Sequence, residues 1–228
     1  TSMRGYADLL LNGTFGKQNE KTIEIIKKFQ VSTENLIRMV NDFLDITQFQ
    51  LGKDVLNLKP GIEVEPMLSE VVSELKEKAD TKGVYLKFEK PEKPLAIKAD
   101  RVKLKASILN VIDNSIKYTP KGGVTIKIIS QDKVKIIIAD TGIGISPENL
   151  KNIFNRIFDR GDRAKQTAAS GSGIGLYLAS QVIKYHNGKI WAESKGEGNG
   201  STFYIELPLG NSAETVKAEP EQKIVKNV

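Results

Sequence analysis

Two asparagines one helical turn apart, Asn110 and Asn114, lie in the run Asn-Val-Ile-Asp-Asn-Ser-Ile-Lys-Tyr-Thr of residues 110–119. On a helix, positions i and i+4 share a face, so both amide oxygens can approach one hard cation. Neutral oxygens beside a polyphosphate suit Mg2+, which keeps several waters and takes few protein ligands. Lys117, a turn further on, can reach a phosphate as a point charge. Taken alone, the same residues also read as a solvated helix face.

A second group, Asp140-Thr-Gly142-Ile-Gly144-Ile, directly follows the apolar run Val134–Ala139. A carboxylate at the end of a buried strand is costly unless it accepts hydrogen bonds, and an exocyclic amine such as that of adenine is a fitting donor. Gly142 and Gly144 let the backbone turn sharply and approach a flat ring. An ordinary Asp-Thr-Gly turn is the plainer reading. The third group, Gly171-Ser-Gly173-Ile-Gly175-Leu176, opens a helix, and the bare amides of a helix start attract phosphate. It lacks the Lys-Ser/Thr of a Walker loop and misses the dinucleotide spacing. A flexible loop before a capped helix would look the same.

Elements able to position these groups are legible from the pattern of apolar residues. Of the 228 residues, 39% are hydrophobic and 27% charged, enough to bury a core. There is no cysteine and one histidine, which excludes disulfide frameworks, cysteine-based zinc sites, thiol nucleophiles and histidine-rich metal centres. The net charge of +6 is interspersed, and no helix-turn-helix or aromatic-basic interleaving accompanies it, so no nucleic-acid partner is expected. No apolar run approaches the ~18 residues of a membrane span and the start lacks a signal-peptide layout. This stretch is therefore expected to be soluble and cytoplasmic.

Residues 1–12 read as the end of a helix, and a second, long helix is expected from about Glu20 to Leu51. On it Ile26, Phe29, Thr33, Leu36, Val40, Phe43 and Thr47 alternate by three and four, the seam of a bundle. A two-helix hairpin with such a seam is expected to dimerise into a four-helix bundle; packing against the rest of its own chain is the alternative. After a short linker, helices at Glu65–Lys82, Asp100–Tyr118, Glu148–Phe158 and Gly173–Tyr185 alternate with strands at Val84–Phe88, Leu95–Lys98, Val124–Ser130, Lys133–Ala139, Lys189–Ser194 and Ser201–Leu207. The fold class expected is α+β: an antiparallel helical hairpin followed by an α/β sandwich with one sheet face covered by helices. The divisions expected are 1–53 for the hairpin, 54–60 for the linker, 61–210 for the sandwich and 211–228 for a disordered tail.

Taken in order, these groups resemble the ATP-binding domain of sensor histidine kinases, within the GHKL superfamily that also holds DNA gyrase, MutL-type and chaperone ATPases. Asn110–Thr119 is similar to the family's N box, Asp140–Ile145 to its first glycine box, Ile153–Phe158 to its F box and Gly171–Gly175 to its second glycine box. Gly198–Phe203 looks like the strand entry that follows, Tyr185–Ser194 like the family's His-Gly-Gly-x-Ile-Trp-x-Glu-Ser, and the hairpin like the dimerisation and phosphotransfer module. The resemblance covers residues 1–209. It implies ATP and Mg2+ as cofactors, with Asn110 and Asn114 on the metal, Lys117 and Tyr118 on the phosphate side and Asp140 on the base. Gly142 and Gly144 would shape the base pocket, with Thr202 near the adenine. Gly171, Gly173, Gly175 and Leu176 would hold the triphosphate, and Arg160 or Arg163, in a lid of residues 159–172, would meet the γ-phosphate.

The activity implied is transfer of that phosphoryl group to a histidine and on to an aspartate of a response-regulator receiver domain, by a homodimer whose parent is compatible with a membrane anchor elsewhere. Two departures accompany the likeness. The family's acceptor histidine would fall before Thr1, and the F box is one residue longer than usual. His186, the sole histidine, is expected to be structural. An ATPase or serine kinase of the same superfamily, and a dimeric scaffold that binds nucleotide without turnover, are the alternative functions.

Overall fold

The computed structural model describes residues 2–51, 56–155 and 173–209. Helix α1 (Ser2–Leu11) turns at Gly13, whose φ of 74° suits glycine, into α2 (Glu20–Gln50), where the Asn19 side chain caps the start by accepting from Thr22 N. At about 1.5 Å per residue, α2 runs some three times the length of α1. Ala7 of α1 and Ile26 and Thr33 of α2 are buried within the hairpin, and Gln30 Nε2 donates to Asp8 Oδ1 at 2.6 Å.

The expected seam is therefore split. Ile26 and Thr33 turn inward, while Phe29, Leu36, Val40 and Phe43 are exposed, because α1 is too short and narrow to cover them. At its lower end α2 does pack on its own chain. Ile46 and Phe49 form a buried cluster with Leu178 and Val182 of the last described helix, α6 (Gly175–Tyr185), and with Ile174 just before it. The Phe49 and Tyr185 rings are 5.1 Å apart, Tyr185 Oη donates to Phe49 O, and Lys103 Nζ donates to Asp45 Oδ1 at 2.6 Å.

The sandwich begins earlier than the composition suggests. Lys59–Glu63 forms β1, paired antiparallel with β3 (Ala96–Ala99) in a two-stranded sheet. Pro60 and Gly61 look like linker, but Gly61 adopts φ 74° where the pairing register shifts, so the pair makes an irregularity within a strand. Helix α3 (Val64–Lys82) ends on Gly83, and α4 (Arg101–Lys117) follows β3. The main sheet has five strands in the order β2-β4-β5-β7-β6: Val84–Glu89, Gly122–Ser130, Lys133–Asp140, Ser201–Pro208 and Lys189–Glu193. The β2/β4 pair is parallel and the remaining pairs are antiparallel.

One sheet face carries the core. Alternate residues of β4, β5 and β7, among them Ile126, Ile136, Ile138 and Ile205, meet Met67 and Leu68 of α3, Leu104, Ile108, Val111, Ile112 and Ile116 of α4, and Ala179 and Ile183 of α6. The helix expected over Glu148–Phe158 is shorter: α5 spans Pro147–Leu150, capped by Ser146, and residues 151–155 are turns. There Phe154 leaves the helical path to set its ring edge-on to Phe203 at 6.3 Å. The expected tail at 211–228 lies outside the described residues, among which no helix is long and apolar enough to cross a membrane.

Because Phe49 joins α2 to α6 through both its ring and its carbonyl, Phe49→Ala should loosen that contact without unfolding the sheet. The expected outcome is faster amide exchange across residues 174–185 with β4 and β5 unchanged. Slower or unaltered exchange in α6 would show that the contact does not brace it.

Candidate nucleotide site

Helix α4 carries the polar residues opposite its buried stripe. Asp100 caps its start, with Oδ1 accepting from Val102 N and Lys103 N at 3.1 Å and Oδ2 from Asn57 N at 2.9 Å. Its end is held by Lys82 of α3, which donates to the carbonyls of Ile116 and Lys117 where the helix dipole is negative. Clamped at both ends, the helix presents Asn110 and Asn114 half-buried on its polar side.

Asn110 lies against the first turn of α6. A Cβ added to Gly175 would stand 3.3 Å from Asn110 Cγ, a tight contact that the side chain would have to relieve by a few tenths of an ångström. That start of α6 has Ile174 as its N-cap, which makes no side-chain capping bond, and the first turn of a helix is a favourable place for an anion. Gly173 sits before it with φ 72°. Lys117 Nζ lies 5.2 Å from the centroid of the neighbouring Tyr118 ring. Leu176, expected at the triphosphate, packs its side chain on the main core, so what it can offer a ligand is its backbone. Gly171, Arg160 and Arg163 lie outside the described residues.

Asp140 ends β5 beside Ser201 of β7, in register with it. Its Oδ1 accepts from Gly142 N at 2.9 Å and from Ser201 N at 3.1 Å, and neither amide uses Oδ2. Burial pushes this carboxyl above the usual range, more than the two amides and the nearby Ser115 hydroxyl pull it down. A Cβ on Gly142 would meet Tyr118 O at 2.4 Å and Asp140 Oδ1 at 2.8 Å, so the turn closes over α4 only as glycine. Gly144, at φ 70°, faces Gly196 O, where a Cβ would come to 2.1 Å. Gly198 N and Gly200 N donate to Ile143 O and Gly142 O, and Ser194 Oγ accepts from Ile145 N. The first glycine group and the loop before β7 thus form one wall, with Thr202 one residue past the Asp140 partner. Ser194, Ser201 and Ser115 were not singled out from the sequence. Serines carry no spacing signal, and their roles depend on strand register and on the turn at Gly142.

His186 is buried at 3% exposure, with Nδ1 on Val182 O at 2.8 Å and Nε2 accepting from Asp100 N at 2.9 Å. Nδ1 therefore carries the proton, and burial holds the ring below its usual pKa against the pull of Val182 O and Asp100. Both nitrogens are engaged, which makes it a tie between α6 and the α4 cap.

A divalent ion would find no cluster of three or more acidic or histidine side chains among the described residues. The amide pair Asn110 and Asn114, next to the start of α6, fits an ion that arrives largely coordinated by phosphate and water.

The sequence profile of the family described as histidine kinase-, DNA gyrase B- and HSP90-like ATPase matches residues 99–211. The histidine protein kinase DivJ of Caulobacter vibrioides is 33% identical over 215 residues, covering 91% of this chain and 34% of DivJ. The sensor histidine kinase WalK of Bacillus subtilis is 30% identical over 220 residues, covering 94% of this chain and 35% of WalK. The chain thus spans about a third of the length of these relatives. Among solved structures, full-length ShkA in complex with AMPPNP shares the fold, with a TM-score of 0.73 at 24% identity over 93% of this chain and 44% of that one.

The raised Asp140 pKa has a stability consequence of definite sign. The folded chain keeps this proton to a higher pH than the unfolded chain, so the stability associated with it is lost as pH rises through the raised value. Asp140→Asn keeps an oxygen for the two amides but has no proton to lose. Urea melts from pH 4 to 8 should show the parent chain losing ground to the variant as pH rises; a constant difference would contradict the burial effect.

Proposed function

We infer, from the membership of residues 99–211 in the histidine kinase-, DNA gyrase B- and HSP90-like ATPase family as a GHKL-type ATP-binding domain, that this chain is the core of a sensor histidine kinase. ATP with Mg2+ binds between α4 and the start of α6, and its γ-phosphoryl group passes to a histidine and then to a receiver-domain aspartate. The observation that carries the reading is the two-ended character of α4. Asn110 meets the start of α6, and about 7–8 Å along the helix Ser115 and Thr119 meet the Asp140 and Gly142 turn. A base-reading group and a phosphate-reading group are thereby set apart by roughly the span of a nucleoside.

Asp140 Oδ2 accepts from the exocyclic amine of adenine, Gly142 and Gly144 give the ring a flat wall, and Thr202 borders it. The amides at Gly173, Gly175 and Leu176 face the phosphates, with Lys117 and Tyr118 beside them, and Asn110 and Asn114 hold the Mg2+, which supplies charge neutralisation. Phosphoryl transfer asks the protein chiefly for such positioning. Arg160 or Arg163 would serve the γ-phosphate. A second copy of the chain covers Phe29, Leu36, Val40 and Phe43 in a four-helix bundle, a size of exposed apolar face that a lone hairpin does not leave wet. His186 is not the acceptor, since both its nitrogens are committed.

Calorimetric titration of ATP tests the assignment. Asn114→Ala should weaken binding about tenfold or more in Mg2+ and little without it, whereas Asp140→Asn should weaken it in both conditions. Unchanged affinity in both variants would remove the nucleotide assignment.

A further inference from the structure

Helix α4 buries two serines that behave differently. Ser107 Oγ donates to Lys103 O at 2.8 Å, the carbonyl four residues back, as a helical serine ordinarily does. Ser115, 1% exposed, does not take the equivalent option: its Oγ stands close enough to the Asp140 carboxyl to favour the ionised form, yet among the described residues it completes no hydrogen bond of good geometry. A buried hydroxyl without an acceptor is costly and calls for an explanation. The group it stands beside is the Asp140 carboxyl, and among the described residues it is the one side chain that biases that carboxyl; the other two supports are the backbone amides of Gly142 and Ser201. Backbone turns fix those two donors on Oδ1, which leaves the hydroxyl as the adjustable one.

We propose that Ser115 is a positioning residue for the base-reading carboxylate, its hydroxyl closing onto Asp140 when a purine nucleotide draws the carboxylate toward the base. The inference rests on the reading of Asp140 as the acceptor of the exocyclic amine. That amine offers only donors, so a protonated Asp140 would set an O–H donor against it, and burial pushes the carboxyl toward that form. A hydroxyl donating from the helix side opposes protonation and turns Oδ2 to the ring. The Thr119 hydroxyl cannot substitute, because it already donates to Ser115 O at 2.7 Å.

The test is ATP affinity of the full 228-residue chain against pH, for the parent, Ser115→Ala, Asp140→Asn and the double variant. Ser115→Ala should bind about three- to tenfold more weakly at the acid end of a series from pH 4 to 8, with the deficit narrowing as pH rises and the melting temperature of the free chain unchanged. In the Asp140→Asn background, removing the hydroxyl should cost nothing further. A deficit equal at every pH, or one that persists in the Asp140→Asn background, would overturn the positioning role while leaving Asp140 as the base reader. Parent-like ATP affinity in Asp140→Asn alone would overturn both, and would do so before Ser115 was touched.

Discussion

A carboxyl group held in a dry place on two peptide amides is the constraint from which the site follows. Asp140 sits where a strand of the core ends, and desolvation works against its charge. Its ionised form is held by two peptide amides, and peptide amides can converge on one oxygen only where the chain folds back tightly. That demand accounts for the glycines on either side. Gly142 lies against Tyr118 O, and Gly200 lies against Asp140 O, where a Cβ would come to 2.1 Å. The fold therefore tolerates a locally unfavourable group, as expected where binding rather than stability sets the residue.

Helix α4 turns that local arrangement into a site of defined length. One side of it is locked into the sheet by Leu104, Ile108, Val111, Ile112 and Ile116, so its rotation about its own axis is fixed. Its ends are tied as well: Asp100 is joined to Asn57 and His186, and the last carbonyls accept from Lys82. The amides of Asn110 and Asn114 consequently point where packing sends them, which suits a role that depends on placement more than on reactivity.

Much of this was legible in the sequence because it is periodic. The α4 stripe, the β4–β5 hairpin and the boundaries of α2 and α6 follow from 3.6- and 2-residue repeats, and the three chemical groups were found by spacing and by resemblance. What escaped is non-local. Strand β1 hides behind a Pro-Gly pair that acts as an irregularity in pairing rather than a turn. Beyond the end of α5, Phe154 meets Phe203, a ring contact that no window of neighbouring residues contains. Ser115 and Ser201 acquire meaning only once β5 and β7 are in register beside α4. The split of the α2 seam likewise reflects the length of α1 and the reach of α6, neither of which alters the repeat along α2 itself.

Ile174 belongs to two surfaces at once. It is the N-cap of α6, and it is packed with Ile46 and Phe49 at the foot of the long helix. If the first turn of α6 receives a phosphate, as proposed above, an occupant that reshapes it must alter the grip on the helix foot, and by reciprocity a twist of the foot alters the affinity for the occupant by the same factor. Occupancy and posture are then two readings of one equilibrium. A movement of the long helix would then need no separate wire to reach a bound triphosphate.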